Sequence, residues 1–428
     1  MRVLHVSWEH PPVVVGGLGR HVHALGRHLA MAGHDVVVLC RQPMGTDAST
    51  HPTTDEVVDG VRVVAVAEDP LHLVFTDDLV AWTLAVGHAM LRAGLALDWR
   101  PDVVHAHDWL VAHPAVALAE HHGVPLVTTV HATEAGRHGG WISAPLNRQV
   151  HSVEWWLVRS ADAVITCSAA MRDEAVQLFA PTAPVIVLHN GVEARGVEAP
   201  GVEARGVEAP GVEARGVEAR GPDAPRDPEP GTVLYLGRLE YEKGVQDLLA
   251  ALPRIRRAHP GARLVVAGEG TQQEWLRERA RAHRVARSVT WTGHLGAQEI
   301  AEQLERASVI VLPSRYEPFG IVALEAAAAR VPVVASTAGG LREAVLDGVT
   351  GLSFPVGDVA ALAGAVVAVL DDPIAAAERA EAAHARLATD FSWPAIAAAT
   401  AEVYASTHRH PREPLARPVI VERALPNR

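Results

Sequence analysis

The chain has 428 residues, 49% apolar and 21% charged, which is enough for two domains of about 150 to 200 residues and too apolar for a disordered chain. Against 50 acidic side chains stand 38 basic ones, a net charge of −12; that balance repels a phosphate backbone and excludes a nucleic-acid binder whose affinity comes from counterion release. The start, Met1-Arg2-Val3-Leu4-His5, runs into polar Ser7 and charged Glu9, too short an apolar stretch for a signal peptide, and no window approaches 18 uncharged apolar residues. These features predict a cytoplasmic protein whose membrane contact is at most peripheral.

Short apolar runs alternate with stretches of helical period from Arg2 to about His189. The runs are Val3 to Val6, Val36 to Leu39, Val61 to Ala67, Val103 to Ala106, Leu126 to Val130, Ala163 to Thr166 and Val185 to Leu188. Such continuous, β-branched segments suit strands covered on both faces. The intervening segments, among them Arg20 to Ala32 and Leu79 to Leu97, are long enough for crossover helices, so the pattern is βα units around a parallel sheet. The rhythm restarts at Thr232 to Leu236 and continues through Leu264 to Ala267, Val289 to Thr292, Val309 to Leu312, Val333 to Ala335 and Gly351 to Phe354. The prediction is α/β, with two Rossmann-like domains: residues 1–190 and residues 231–392.

Between the two halves, residues 191–230 hold six pentapeptides Gly-Val-Glu-Ala-Arg/Pro and then a Pro-rich stretch. A five-residue period matches neither helix nor strand, and this segment reads as a flexible, charged tether tolerated at a domain junction. Residues 393–407 read as a helix and 408–428, rich in Arg, His and Pro, as a disordered tail. Cys40 and Cys167 each sit in an apolar run and read as small core residues, so no disulfide framework or zinc-type cysteine pair is expected.

Three segments carry candidate chemistry. In Val14-Val15-Gly16-Gly17-Leu18-Gly19-Arg20-His21, glycines leave bare amides where a helix begins, a geometry suited to phosphate, although a tight turn explains the same residues. The spacing is neither G-x-G-x-x-G nor that of a P-loop. Gly237-Arg238-Leu239-Glu240-Tyr241-Glu242-Lys243-Gly244 follows the first strand of the second half, and Lys243 is the only lysine in the chain. A guanidinium and an ammonium at a sheet's carboxyl edge would clamp a diphosphate in two ways; the bland alternative is an exposed charge cluster. In Pro313-Ser314-Arg315-Tyr316-Glu317-Pro318-Phe319-Gly320, a loop carries Glu317 and a helix opening near Gly320 presents Glu325. Paired carboxylates suggest a glycosidase on chemistry alone, and a solvated acidic pair is the other reading.

Taken together, Glu317 and Glu325 in E-x7-E, Gly16-Gly17-Leu18-Gly19, Gly237-Arg238-Leu239 with Lys243-Gly244, and Asn190-Gly191-Val192 resemble a retaining nucleotide-sugar glycosyltransferase of family 4 with the GT-B fold. His105-Ala106-His107-Asp108-Trp109 and His131-Ala132-Thr133-Glu134 are similar to the glycogen and starch synthases, and Ser7-Trp8-Glu9-His10-Pro11-Pro12 to their actinobacterial α-glucan-making relatives. The resemblance implies that Arg238 and Lys243 hold the donor diphosphate, with amides of Gly16, Gly17 and Gly19 closing on it. It implies that Glu325 bonds the ribose, that Glu317 and the amides after it, through Phe319 and Gly320, grip the sugar, that His131 and Asp108 line the sugar pocket, and that Gly268 and Gly270 lie near the base. The last helix would cross back to the first domain. One departure is that glycogen synthases usually carry Lys-x-Gly-Gly where this chain has Val14-Val15-Gly16-Gly17.

The implied reaction moves glucose from ADP-glucose or UDP-glucose to an α-1,4-glucan or related oligosaccharide. No Asp-x-Asp occurs in the chain, so the expectation is no cofactor and no metal, with Arg238 and Lys243 as the counter-charges to the leaving diphosphate. Rival readings are transfer of another sugar such as mannose to a lipid or small acceptor, a metal-dependent hydrolase using His105, His107 and Asp108 with His131, a glycosidase, a non-catalytic sugar-nucleotide binder, and a GT-B epimerase that releases free sugar.

Overall fold

A computed structural model of the chain describes residues 1–13, 16–43, 52–67, 73–75, 77–192, 226 and 228–409. Val14 and Val15 of the first loop, nearly all of the repeat segment expected as a tether and nearly all of the expected tail lie outside these residues.

The first lobe holds eight strands: β1 (Arg2–Ser7), β2 (Asp35–Arg41), β3 (Thr54–Val58), β4 (Val61–Val66), β5 (Val103–His107), β6 (Leu126–Val130), β7 (Ala163–Thr166) and β8 (Val185–Val187). Their order is β3-β4-β2-β1-β5-β6-β7-β8, parallel except for β3. The second lobe holds β9 (Thr232–Leu236), β10 (Arg263–Ala267), β11 (Val289–Gly293), β12 (Val309–Leu312), β13 (Val333–Ser336) and β14 (Leu352–Phe354), all parallel, in the order β11-β10-β9-β12-β13-β14. These are the two Rossmann-like sheets expected from the apolar runs. Strands such as Val36 to Leu39 and Val309 to Leu312 are fully buried because helices cover both faces.

Only β3 departs from the expectation. Its sequence Thr-Asp-Glu-Val-Val is exposed at every position, an edge strand turned back on β4 through Asp59 and Gly60, both at positive φ.

In each sheet the strand order reverses at one point, between β1 and β5 in the first lobe and between β9 and β12 in the second. Ligands of open α/β sheets bind at the carboxyl ends of the strands flanking such a point. Helix Gly17–Met31 starts after β1 and packs Val22, Leu25 and Leu29 on the first sheet. Helix Trp393–Ser406 joins that same core through Trp393, Ile396, Ala397, Val403 and Tyr404. Its start touches the chain leaving the first lobe: Val192 N donates to Phe391 O at 3.2 Å, and Gly191 leaves room for the Trp393 ring. The two described crossings between lobes are therefore adjacent.

Helix Leu79–Ala96, expected as a crossover helix, is by length and composition apolar enough to cross a membrane, yet it carries Arg92, and its Trp82, Val86 and Met90 are buried in the core of the first lobe. Cys40 and Cys167 are free and buried, and burial pushes the Cys40 thiol up to about 12.

Candidate active site

The loop after β9 turns at Gly237 and Gly244, both at positive φ. A side chain at Gly244 would collide with the carbonyl of Pro313, so glycine lets this loop lie directly on the loop after β12. Arg315 N donates to Glu242 O at 2.7 Å and fixes that crossing. As a result Lys243 Nζ reaches Glu317 Oε2 at 2.9 Å, with both side chains less than a fifth exposed. Ser314 Oγ donates to the same oxygen at 3.1 Å. Arg238 is more open and lies 3.5 Å from Glu242 Oε1. The structure thus brings Lys243 and Glu317 together and leaves the Arg238 side chain, paired with Glu242 of the same loop, nearly half exposed. Glu317 is not a freely solvated carboxylate.

The E-x7-E segment continues into helix Ile321–Ala328, capped by Gly320 at φ +100. The Phe319 side chain is 2% exposed, stacks on His189 and meets Phe391 edge-on, so any part it takes in sugar binding falls to its backbone. Gly268 and Gly270 sit where any Cβ would strike the backbone of Gly237 and Leu239, which seats the loop after β10 against the loop after β9.

Across the cleft, the amino end of helix Gly17–Met31 abuts that of Ile321–Ala328: a Cβ on Gly17 would overlap Ile321. Gly19 is buried in its first turn, and the exposed Arg20 pairs with Glu325 from the opposite lobe. The Gly16 amide donates to Glu9 Oε2 at 3.1 Å, so a carboxylate already answers one of the bare donors read from the glycines. The sequence reading quoted Glu9 and Arg20 without a role, and only the packed lobes reveal their partners.

The first lobe contributes a histidine cluster behind the cleft. His107 Nδ1 lies 3.2 Å from His131 Nε2, and His107 Nε2 lies 2.9 Å from His5 Nδ1. His21 Nδ1 meets Asn190 Oδ1 at 2.8 Å. His105 has both ring nitrogens engaged, with Tyr404 OH and Thr129 Oγ1 at 2.7 Å each. To serve as a ligand in the hydrolase reading, it would have to give up one of these two partners. Burial holds His131 near 4 and keeps its imidazole neutral.

Asp108 has φ +61 and ψ 176, a conformation nearly confined to glycine. Its amide donates to Thr129 O at 3.1 Å and its Oδ1 accepts from His131 N at 2.7 Å, which together hold the strained backbone. Desolvation pushes its carboxyl up to about 6.

Tyr316 is a residue that sequence reasoning quoted without a role. Its ring enters the first lobe in the space left by Gly136. The hydroxyl accepts from Thr133 N at 3.1 Å and donates to Glu174 Oε1 at 2.9 Å. It pins the Glu317 loop to the segment that follows His131.

The Glycosyltransferase Family 4 model matches residues 15–195, and the Glycosyl transferases group 1 model matches residues 221–386. Over all of both chains, the sequence is 57% identical to a glycogen synthase of Mycobacterium tuberculosis. Among solved structures, the sucrose-phosphate synthase of Thermosynechococcus elongatus superposes with a TM-score of 0.74 at 25% identity, over 94% of this chain and 98% of that one. The catalytic domain of starch synthase IV from Arabidopsis thaliana, bound to ADP and acarbose, shares the fold with a TM-score of 0.69 at 17% identity, over 95% and 99%.

Proposed function

This chain belongs to the family 4 glycosyltransferases of GT-B fold, and from that premise we propose that it transfers glucose, with retention, from ADP-glucose or UDP-glucose to an α-1,4-glucan. Glycosyl transfer needs a diphosphate to depart while positive charge builds on the sugar ring, so the enzyme must balance the growing phosphate charge in a site with little water. In this reading Lys243 and the exposed guanidinium of Arg238 supply that balance, and helix Gly17–Met31 adds its amino end from the facing lobe. Glu317, fixed by Lys243 and Ser314, takes the hydroxyls of the donor sugar. Glu325 takes the ribose, exchanging Arg20 for it. His131 and Asp108 face the sugar from the first lobe, a neutral imidazole and a carboxyl that accepts from the backbone amide of His131.

One observation carries the reading. The only lysine of the chain and the first glutamate of E-x7-E form one partly buried pair, at the strand ends flanking the switch point of the second sheet. A glycosidase expels no diphosphate, so its chemistry does not require these counter-charges. The test is to incubate the protein with ADP-glucose and UDP-glucose separately, each with a short α-1,4-glucan. Extension with one donor is expected. Extension with neither, or release of free sugar alone, overturns the proposal.

A further inference from the structure

Three imidazoles converge behind the sugar pocket from three separate elements: His21 in helix Gly17–Met31, His107 at the end of β5 and His131 directly after β6. One ring nitrogen of each lies within 4.8 Å of the other two. The distance from His107 Nδ1 to His131 Nε2 is 3.2 Å. Two imidazole nitrogens bound to one tetrahedral Zn2+ at about 2.0–2.1 Å stand roughly 3.3 Å apart, so these atoms are already at ligand spacing.

The outer nitrogens of two rings are oriented to suit. Asn190 Oδ1 can only accept, so His21 carries its proton on Nδ1 and presents Nε2 as a lone pair. That Nε2 is buried and has no hydrogen-bond partner among the described residues, in a side chain 6% exposed. A buried polar atom left this way calls for an explanation, and a cation at that point supplies one. His107 Nε2 faces His5 Nδ1 at 2.9 Å, so a proton on His107 Nε2 leaves its Nδ1 as the ligand atom. A ligand imidazole whose other nitrogen donates to a protein acceptor is the usual second shell of a metal site. The neighbouring triad His5, His105 and His107 differs, because both His105 nitrogens are held by groups outside the triad, Tyr404 OH and Thr129 Oγ1, whereas His107 Nδ1 contacts only its fellow ligand His131.

We propose that His21, His107 and His131 form a site for a borderline divalent transition metal, Zn2+ above all, and that its occupancy inhibits the enzyme. On binding, the proton that His131 Nε2 shares with His107 Nδ1 in the empty site moves to His131 Nδ1, so all three imidazoles ligate neutral and leave the fourth position of a tetrahedral ion to water or a substrate hydroxyl. The inhibitory consequence rests on the glucosyl transfer proposed above. A dication held by His131 adds positive charge beside a sugar ring that is itself becoming positive, and it ties His131 to the metal. The binding site itself rests only on the geometry of the three rings.

The test separates the two. The full-length protein, stripped with EDTA and dialysed, is titrated with Co2+ and read by its visible d–d bands, with no substrate present. One equivalent is expected to give the intense bands of a tetrahedral ion, and Zn2+ is expected to bleach them. His21→Phe, which keeps a ring against Trp393, is expected to lose the bands. Asn190→Ala, which removes only the outer acceptor, is expected to weaken Co2+ binding by about 10- to 100-fold. In the glucan assay, Zn2+ is expected to inhibit the wild type reversibly and His21→Phe only at higher concentration. Absence of the bands at one equivalent, or bands that survive both substitutions, overturns the site. Bands without Zn2+ inhibition retain the site and overturn its inhibitory role.

Discussion

Lys243 Nζ stands 2.9 Å from Glu317 Oε2, and the two residues come from loops after neighbouring strands of the second sheet. The pair gives each group a second task. In the proposed reaction the ammonium would hold the carboxylate in place for the sugar, and the carboxylate would keep the ammonium at the mouth of the switch point, where a diphosphate would lie. Replacing Lys243 by Ala leaves Glu317 with Ser314 alone and, in the proposed reaction, removes a counter-charge to the leaving group. The expected loss is on the order of 3 kcal/mol, about a hundredfold in kcat/KM. Steady-state kinetics with the active donor check it, and wild-type turnover in this variant refutes the role.

Tyr316 joins the lobes beside that pair. Tyr316→Phe keeps the ring in the space left by Gly136 and removes the hydroxyl shared by Thr133 N and Glu174. The buried Thr133 amide then lacks its acceptor, at a cost of about 1–3 kcal/mol. If that hydroxyl sets how the Glu317 loop meets the first lobe, kcat/KM should fall by roughly tenfold with a rise in donor KM. Unchanged kinetics accompanied by a lower Tm would show a purely structural contact.

Most of the fold was legible because buried parallel strands are written as unbroken β-branched runs, as in Val36 to Leu39 or Val309 to Leu312. The exception, β3, has an acidic, fully exposed sequence, and the Asp59-Gly60 turn was the one signal that could have found it. The site was legible in part. Strand ends announce themselves, so Arg238, Lys243 and Glu317 could be placed at one edge. What the sequence does not write is contact between residues hundreds of positions apart: Arg20 with Glu325, Tyr316 with Thr133 and Glu174, and His105 with Tyr404. Each depends on how two lobes or two elements dock, and no local period encodes that.

Chelation offers a test independent of any substitution. With Lys243 and Arg238 as counter-charges and no Asp-x-Asp in the chain, activity is expected to survive excess EDTA. Where preparations carry Zn2+ on the histidine cluster, EDTA should raise the rate. A rate abolished by EDTA and restored by Mg2+ or Mn2+ would instead assign the diphosphate to a metal and displace the two basic residues from that role.

Glu154 supplies a pH dependence of stability. Its side chain is buried, Oε1 accepts from Glu134 N at 2.8 Å, and Oε2 lies 3.7 Å from His151 Nδ1 without a hydrogen bond. Desolvation outweighs these contacts and raises the carboxyl from 4.5 to about 7. The folded protein therefore binds a proton that the unfolded chain releases, so stability is full below pH 4.5 and falls as pH rises to about 7. At about 1.4 kcal/mol per pH unit the loss is at most roughly 3 kcal/mol. Glu154→Gln keeps the acceptor for Glu134 N and has no proton to lose. Urea midpoints at pH 5 and pH 8 should converge with the wild type at the lower pH and favour the variant at the higher. Parallel midpoints at both pH values would mean that Glu154 is already ionised in the folded protein.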